Sequence, residues 1–175
     1  MSLEFGYPQY NEQGMKVLSR AGDLPNDMMM DIAVFHLRSG EQLKICQEQA
    51  ETAVLLVKGA VRYGWEGREE EAIRDSFIED SPYCLHVARN VEVVVTALEA
   101  SEILVQSTEN DRDFDSVFYR PQDCRNDIFG KGVLENKIER TVRTIFDYTN
   151  APYSNMVMGE VINHQGGWSS YTPHH

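Results

Sequence analysis

Cysteine is scarce: three in 175 residues, Cys46, Cys84 and Cys124, far apart and with no CxxC spacing. An odd count so spread argues against a disulfide framework and suits a reducing, cytoplasmic setting. Positive charge is also short, with 16 Lys and Arg against 28 Asp and Glu and a formal net charge of −12. A polyanion would be repelled, so nucleic acid and anionic membrane surfaces are poor partners. Long apolar runs are missing: the longest stretches are Ala53 to Val57 and Val93 to Val95. A membrane-spanning helix needs about 20 such residues. The opening MSLEFGYPQY has neither the basic region nor the apolar run of a signal peptide. No long 3.6-residue periodicity occurs, which removes helix-dominated folds from consideration.

What the chain does have is core-forming material. Hydrophobic residues make up 42%, including 8 Tyr, 7 Phe and 2 Trp. The length suits one domain, or one domain and part of another. Strand signals recur at short spacing: residues 32–37, 53–57, 61–65, 76–78, 84–87, 91–97 and 102–106. Separated by Gly, Asn, Asp or Pro, they predict an all-β sandwich or barrel. Residues 110–115 and 123–132 are expected to be polar, turn-rich breaks. Residues 137–148 fit a helical face (Ile138, Val142, Ile145) and a strand (Ile138, Arg140, Val142, Thr144) equally well. Asn150-Ala151-Pro152 interrupts the chain, and residues 154–163 then offer two new strand pieces. The expected organisation is therefore a first domain over residues 1–150 and a second unit beginning at 151–175. So few residues cannot close a second barrel: either these strands complete the first domain, or the unit is truncated.

Residues 40–59, GEQLKICQEQAETAVLLVKG, have the frame of a barrel metal site without its ligands. Alternate residues on a strand share a face, so His-x-His would send two imidazoles into a barrel, with a carboxylate and a later His completing the set. Here Cys46 and Glu48 stand where the two His would be, followed by Glu51 and Gly59. The expectation is a barrel that has lost its metal and kept its shape. His36 and His86 are expected to be structural, and Arg120, Arg125, Arg140 and Arg143 to be surface charges.

The last stretch, GEVINHQGGWSSYTPHH, repeats the layout of Gly, a short segment, then His. Its string Trp168-Ser169-Ser170-Tyr171-x-Pro173-His174 resembles the bacterial 5-deoxyglucuronate isomerases of inositol catabolism, a bicupin sugar-acid isomerase family. In that family such a string immediately precedes the metal-binding His-x-His. Asn11 to Met15, residues 40–59, Gly130-Lys131-Gly132 and Arg140-Thr141-Val142 also match, so the resemblance covers nearly the whole chain. Thr172 stands where Pro is more common.

The resemblance implies a cupin-type double-stranded β-barrel, with a complete N-terminal barrel and a second one only partly present. It implies a metal-dependent aldose–ketose isomerisation of a deoxy sugar acid, 5-deoxy-glucuronate to 5-dehydro-2-deoxy-gluconate. It implies a divalent metal (Zn, Mn, Fe or Ni) in the complete second cupin and none in the N-terminal barrel. His174 matches the first His of the metal pair, with the other ligands expected beyond His175. Trp168, Ser170 and Tyr171 match the substrate-side segment. A small sugar-acid substrate, no nucleic acid or membrane partner and a homo-oligomer follow by the same analogy. The 175-residue chain alone is expected to be inactive, because one imidazole does not hold a catalytic metal. Two other readings stay open: a non-enzymatic cupin module, binding a sugar acid or purely structural, and an isomerase of the related hexosulose-uronate type.

Overall fold

A computed structural model describes residues 8–22 and 28–169. Apart from two single-turn 3₁₀ segments, all of its regular structure is strand: β1 Met15–Ser19, β2 Asp31–Leu37, β3 Gln42–Ile45, β4 Ala50–Trp65, β5 Arg68–Arg74, β6 Cys84–Val87, β7 Val93–Ala97, β8 Ser101–Glu109, β9 Val117–Tyr119, β10 Arg125–Phe129, β11 Arg140–Phe146 and β12 Met158–Asn163. All pairings between them are antiparallel. The all-β expectation holds, and the two-sheet arrangement is of the cupin type. Among the described residues no helix is long and apolar enough to cross a membrane.

The architecture turns on β4. Its first half pairs with β8 and β6, and its second half pairs with β5 and β7. One 16-residue strand therefore belongs to two sheet faces, β1-β2-β8-β4-β6-β9 and β3-β7-β4-β5. The sequence reads a break at Lys58-Gly59, and the structure shows a bend. A register shift falls between Leu56 and Lys58, and Gly59 takes φ +110. A Cβ at Gly59 would lie 2.4 Å from Ser101 Oγ and 2.7 Å from the Ala100 carbonyl. The corner is thus open only to a residue without a side chain.

Between the two faces lies one apolar cluster. Leu37, Val54, Leu56, Leu85, Val87, Ile103 and Val105 come from one side, and Val61, Tyr63, Trp65, Ala72, Val93, Val95 and Ala97 from the other. The alternation along β7 and β8, buried then half-buried, is the period of two that sends every second side chain inward. A second cluster lies on the outer side of β4, β6 and β9. There Ala53, Leu55, Cys84 and Tyr119 meet Ile145, Phe146, Ala151, Met156 and Met158.

The three-stranded sheet β10-β11-β12 provides the far side of that second cluster. It corrects two sequence expectations. Residues 125–129 form a strand where a turn-rich break is expected, because their pairing with β11 outweighs a polar, exposed composition. The ambiguous 137–148 segment is a strand, since β10 and β12 flank it on both sides. Residues 76–78, expected as a strand, are turn, and residues 154–163 supply one strand rather than two. The division expected at residue 150 falls in the turn between β11 and β12, two strands of this one sheet.

Candidate functional site

The degenerate metal frame is dispersed by the fold. Cys46 and Glu48 are exposed in the connection between β3 and β4, so neither points into the barrel. The connection leaves the strand at Ile45, and the alternation that would aim two side chains inward stops there. Glu51 is on a strand and fully buried, but on the opposite side of β4 from Val54 and Leu56. Among the described residues no group of three or more His, Cys, Asp and Glu could hold a metal ion. The interior offers carbon instead, with the Tyr63 hydroxyl and Trp65 Nε1 unpartnered within it among the described residues. These residues do not fit a divalent cation.

Of the residues marked by the terminal motif, Ser170, Tyr171 and His174 lie outside the described residues. Trp168 is described: the residue is 57% exposed and its backbone N–H donates to the Lys137 carbonyl at 2.7 Å. That bond ties the segment after β12 to the connection before β11.

Glu51 organises the first of two buried polar clusters. Its Oε2 lies 2.7 Å from His86 Nε2 and accepts the Ser154 hydroxyl at 3.0 Å; its Oε1 accepts the Asn155 backbone N–H at 2.6 Å. Burial works to raise the Glu51 carboxyl, but the hydrogen bonds from His86, Asn155 and Ser154 and the electrostatic influence of the nearby imidazole outweigh it and hold the group below its ordinary value. An ionised carboxylate can only accept, so the hydrogen of this pair sits on Nε2. The His86 ring lies flat against Phe146, with centroids 4.2 Å apart and planes within 3°, and its Nδ1 has no partner among the described residues. His86 is structural, as expected.

The second cluster corrects the expectation that Arg143 is a surface charge: it is 5% exposed. Arg143 donates to the carbonyls of Phe77, Ile78 and Asp80 and reaches Glu160 at 3.5 Å. Beside it Arg74, 1% exposed, grips Glu160 with both terminal nitrogens at 2.8 and 2.7 Å. Arg74 also donates to the carbonyls of Leu56, Phe77 and Asp80. The sequence offers no warning of this. Arg74 ends the charged run REEEAIR, which has the look of a solvated edge. Its one signal is parity: Arg74 is two residues from buried Ala72 and so shares its face. The remaining arginines behave as expected of partly exposed charges. Arg120 pairs with Glu70 at 2.6 Å and Arg125 with Asp147 at 2.5 Å, while half-buried Arg140 lies over the Phe129 ring.

A surface groove of about 550 Å³ opens along His36, Arg38, Glu41, Lys58 and Glu102. His36, expected to be structural, stacks on Tyr10 with centroids 4.3 Å apart, and the Tyr10 hydroxyl donates to Glu102 at 2.6 Å. Burial and that bond push the Tyr10 phenol well up. The ring is thus a fixed donor, not a proton shuttle at neutral pH.

Comparison with known proteins agrees with this architecture. An IolB-like protein of Salmonella typhimurium has a crystal structure that superposes with a TM-score of 0.73 at 23% identity, over 81% of this chain and 53% of that one. Two curated proteins named 5-deoxy-glucuronate isomerase are similar in sequence. That of Geobacillus kaustophilus is 27% identical over 81% of this chain and 50% of its own length. That of Bacillus licheniformis is 24% identical over 95% of this chain and 62% of its own length. The chain therefore spans half to three-fifths of the length of the relatives it matches. The KduI/IolB family matches residues 7–175. With that match running almost end to end over a two-faced antiparallel fold, this chain belongs to the KduI/IolB family.

Proposed function

We propose that this chain forms the N-terminal part of an isomerase that converts 5-deoxy-glucuronate to 5-dehydro-2-deoxy-gluconate in inositol catabolism. The observation that carries the reading is the family match over residues 7–175, in a family whose similar members bear the name 5-deoxy-glucuronate isomerase. An aldose–ketose conversion moves a proton between neighbouring carbons. It needs a base for that proton and a donor for the oxyanion that develops. The described residues converge on no such pair. The barrel interior is filled with apolar side chains, and the buried acidic and basic groups are engaged in ion pairs.

The chemistry is accordingly assigned to the second unit, residues 151–175 and the part of the relatives' length this chain does not span. His174 would be the first ligand of a divalent metal there (Zn, Mn, Fe or Ni), with Trp168, Ser170 and Tyr171 on the substrate side. Residues 1–150 would be a metal-free cupin platform. The substrate is a small sugar acid in the cytoplasm, neither nucleic acid nor membrane is a partner, and the protein is a homo-oligomer. The filled interior favours a second reading, a cupin module without catalysis that binds a sugar acid or serves structure alone.

The test is conversion of 5-deoxy-glucuronate, followed by NMR of the ketose product. A preparation of intact mass 20.0 kDa is expected to give no turnover, and a polypeptide of the relatives' full length is expected to give it. Turnover by the 20.0 kDa chain would overturn the assignment of the chemistry to the second unit. Inactivity of the full-length form, with retained sugar-acid binding, would leave the binding-module reading in place.

A further inference from the structure

Glu51, Arg74, His86 and Arg143 are the four buried acidic or basic residues among the described residues, and all four lie where the barrel meets residues 140–163. Buried ions are a poor way to gain stability. A well-packed apolar pair of the same volume often does as well or better, because the ions must first lose their water. The stabilising surface is already present around them, as Leu55, Cys84 and Tyr119 pack on Ile145, Phe146, Met156 and Met158. Such apolar contact is non-directional and tolerates sliding. The polar groups add direction. Glu51 fixes a hydroxyl and a backbone N–H at two consecutive residues, Ser154 and Asn155. Arg74 takes both oxygens of Glu160 in a fork that a displaced carboxylate cannot fill.

The strand register gives this direction a use. Arg143 and Glu160 are cross-strand partners on the inward face of the sheet. A slip of β12 by one residue would turn Glu160 to the outward face and present Gly159 or Val161 to the two guanidiniums. A bulge between Thr144 and Phe146 lets both Ile145 and Phe146 bury themselves, 1% and 0% exposed, with Phe146 stacked on His86. That irregularity weakens the ladder's own control of register at the place where β12 begins.

We propose that the Glu51–His86 and Arg74–Arg143–Glu160 clusters are a registration device. They set where residues 151–163 sit on the barrel, and the apolar surface around them supplies the stability. Arg74 and Glu51 are then positioning residues for whatever follows β12. This inference does not depend on the isomerase reading and survives if that reading fails.

The test is amide hydrogen exchange on the 175-residue chain, with cross-strand NMR contacts between Val142 and Val161 as the register marker. In R74K, which keeps the charge and loses the fork, exchange in Met158–Asn163 is expected to rise at least tenfold relative to β8, with the melting temperature little changed. In R74M/R143M/E160M, which replaces the whole cluster by apolar chains, the melting temperature is expected to match the wild type while the Val142–Val161 contacts become weak or multiple. A single native register in R74M/R143M/E160M would overturn the proposal, because apolar packing would then suffice. Failure of R74M/R143M/E160M to fold would overturn it too, because the ions would then carry stability.

Discussion

The two cores of this protein are built on opposite principles. Inside the barrel, fourteen buried residues from both faces meet as hydrocarbon and aromatic surface. Beneath the three-stranded sheet, a similar apolar cluster is pierced by Glu51, Arg74, His86 and Arg143. The first joins strands already tied together by β4, which belongs to both faces, so its geometry is set covalently and by ladders. The second joins the barrel to a sheet that shares no strand pairing with it among the described residues. There, beyond the short link through residues 120–124, side-chain contacts must specify the fit. Apolar packing fixes how strongly two surfaces adhere, and directional polar contacts fix how they are placed.

Breaking a buried pair on one side should have the largest effect. Arg74→Ala strands Glu160 among its neighbours and leaves three carbonyl bonds unmade, and is expected to cost about 4 kcal/mol by chemical denaturation. Leu56→Ala, at a fully buried position of the barrel interior, is expected to cost about 3 kcal/mol through lost transfer energy and a residual cavity. If Leu56→Ala proves the costlier, the contrast between the cores is weaker than drawn here. Gly59→Ala puts a methyl group against the Ala100 carbonyl and Ser101 at a φ that L-residues avoid. It is expected to cost about 2 kcal/mol, read by the same denaturation, with the loss centred on the β4–β8 pairing.

Glu51→Gln sharpens the comparison through pH. The Glu51 carboxyl is depressed in the folded state, so its charge stabilises above the unfolded value near 4.5 and that contribution fades as pH falls through the folded value. Melting temperatures of wild type and Glu51→Gln should differ most above pH 4.5 and converge below it. A gap independent of pH would mean that shape, not charge, matters at Glu51. The smallest effect belongs to Arg62→Ala. The Arg62–Glu71 pair is 2.7 Å long but solvent-exposed on both sides, and no measurable change in melting is expected.

Much of the fold was legible before any coordinates. The runs at residues 32–37, 91–97 and 102–106 are short and rich in apolar, β-branched residues, and each coincides with a strand of the barrel. β5 and β10 were not legible. Arg-Glu-Glu-Glu-Ala-Ile-Arg and Arg-Asn-Asp-Ile-Phe carry little apolar patterning, and partner strands hold them in the ladder. The terminal motif named the family through Trp168-Ser169-Ser170-Tyr171, and His174, the ligand that the resemblance implies, lies outside the described residues.

Residue order alone settled an acidic all-β chain of short strands and a family signature near its end. Those properties depend on residue type and local order, which a linear reading retains. Tertiary structure decided that β4 bends through Gly59 instead of stopping, that Glu51 faces His86 and not the interior, and that Arg74 and Arg143 surrender their water to share Glu160. Arg74 and Glu160 are 86 residues apart, and the free energy of burying them depends on partners that no local pattern names. Adding the two sheets' geometry is what turns a charged strand end into a buried clasp.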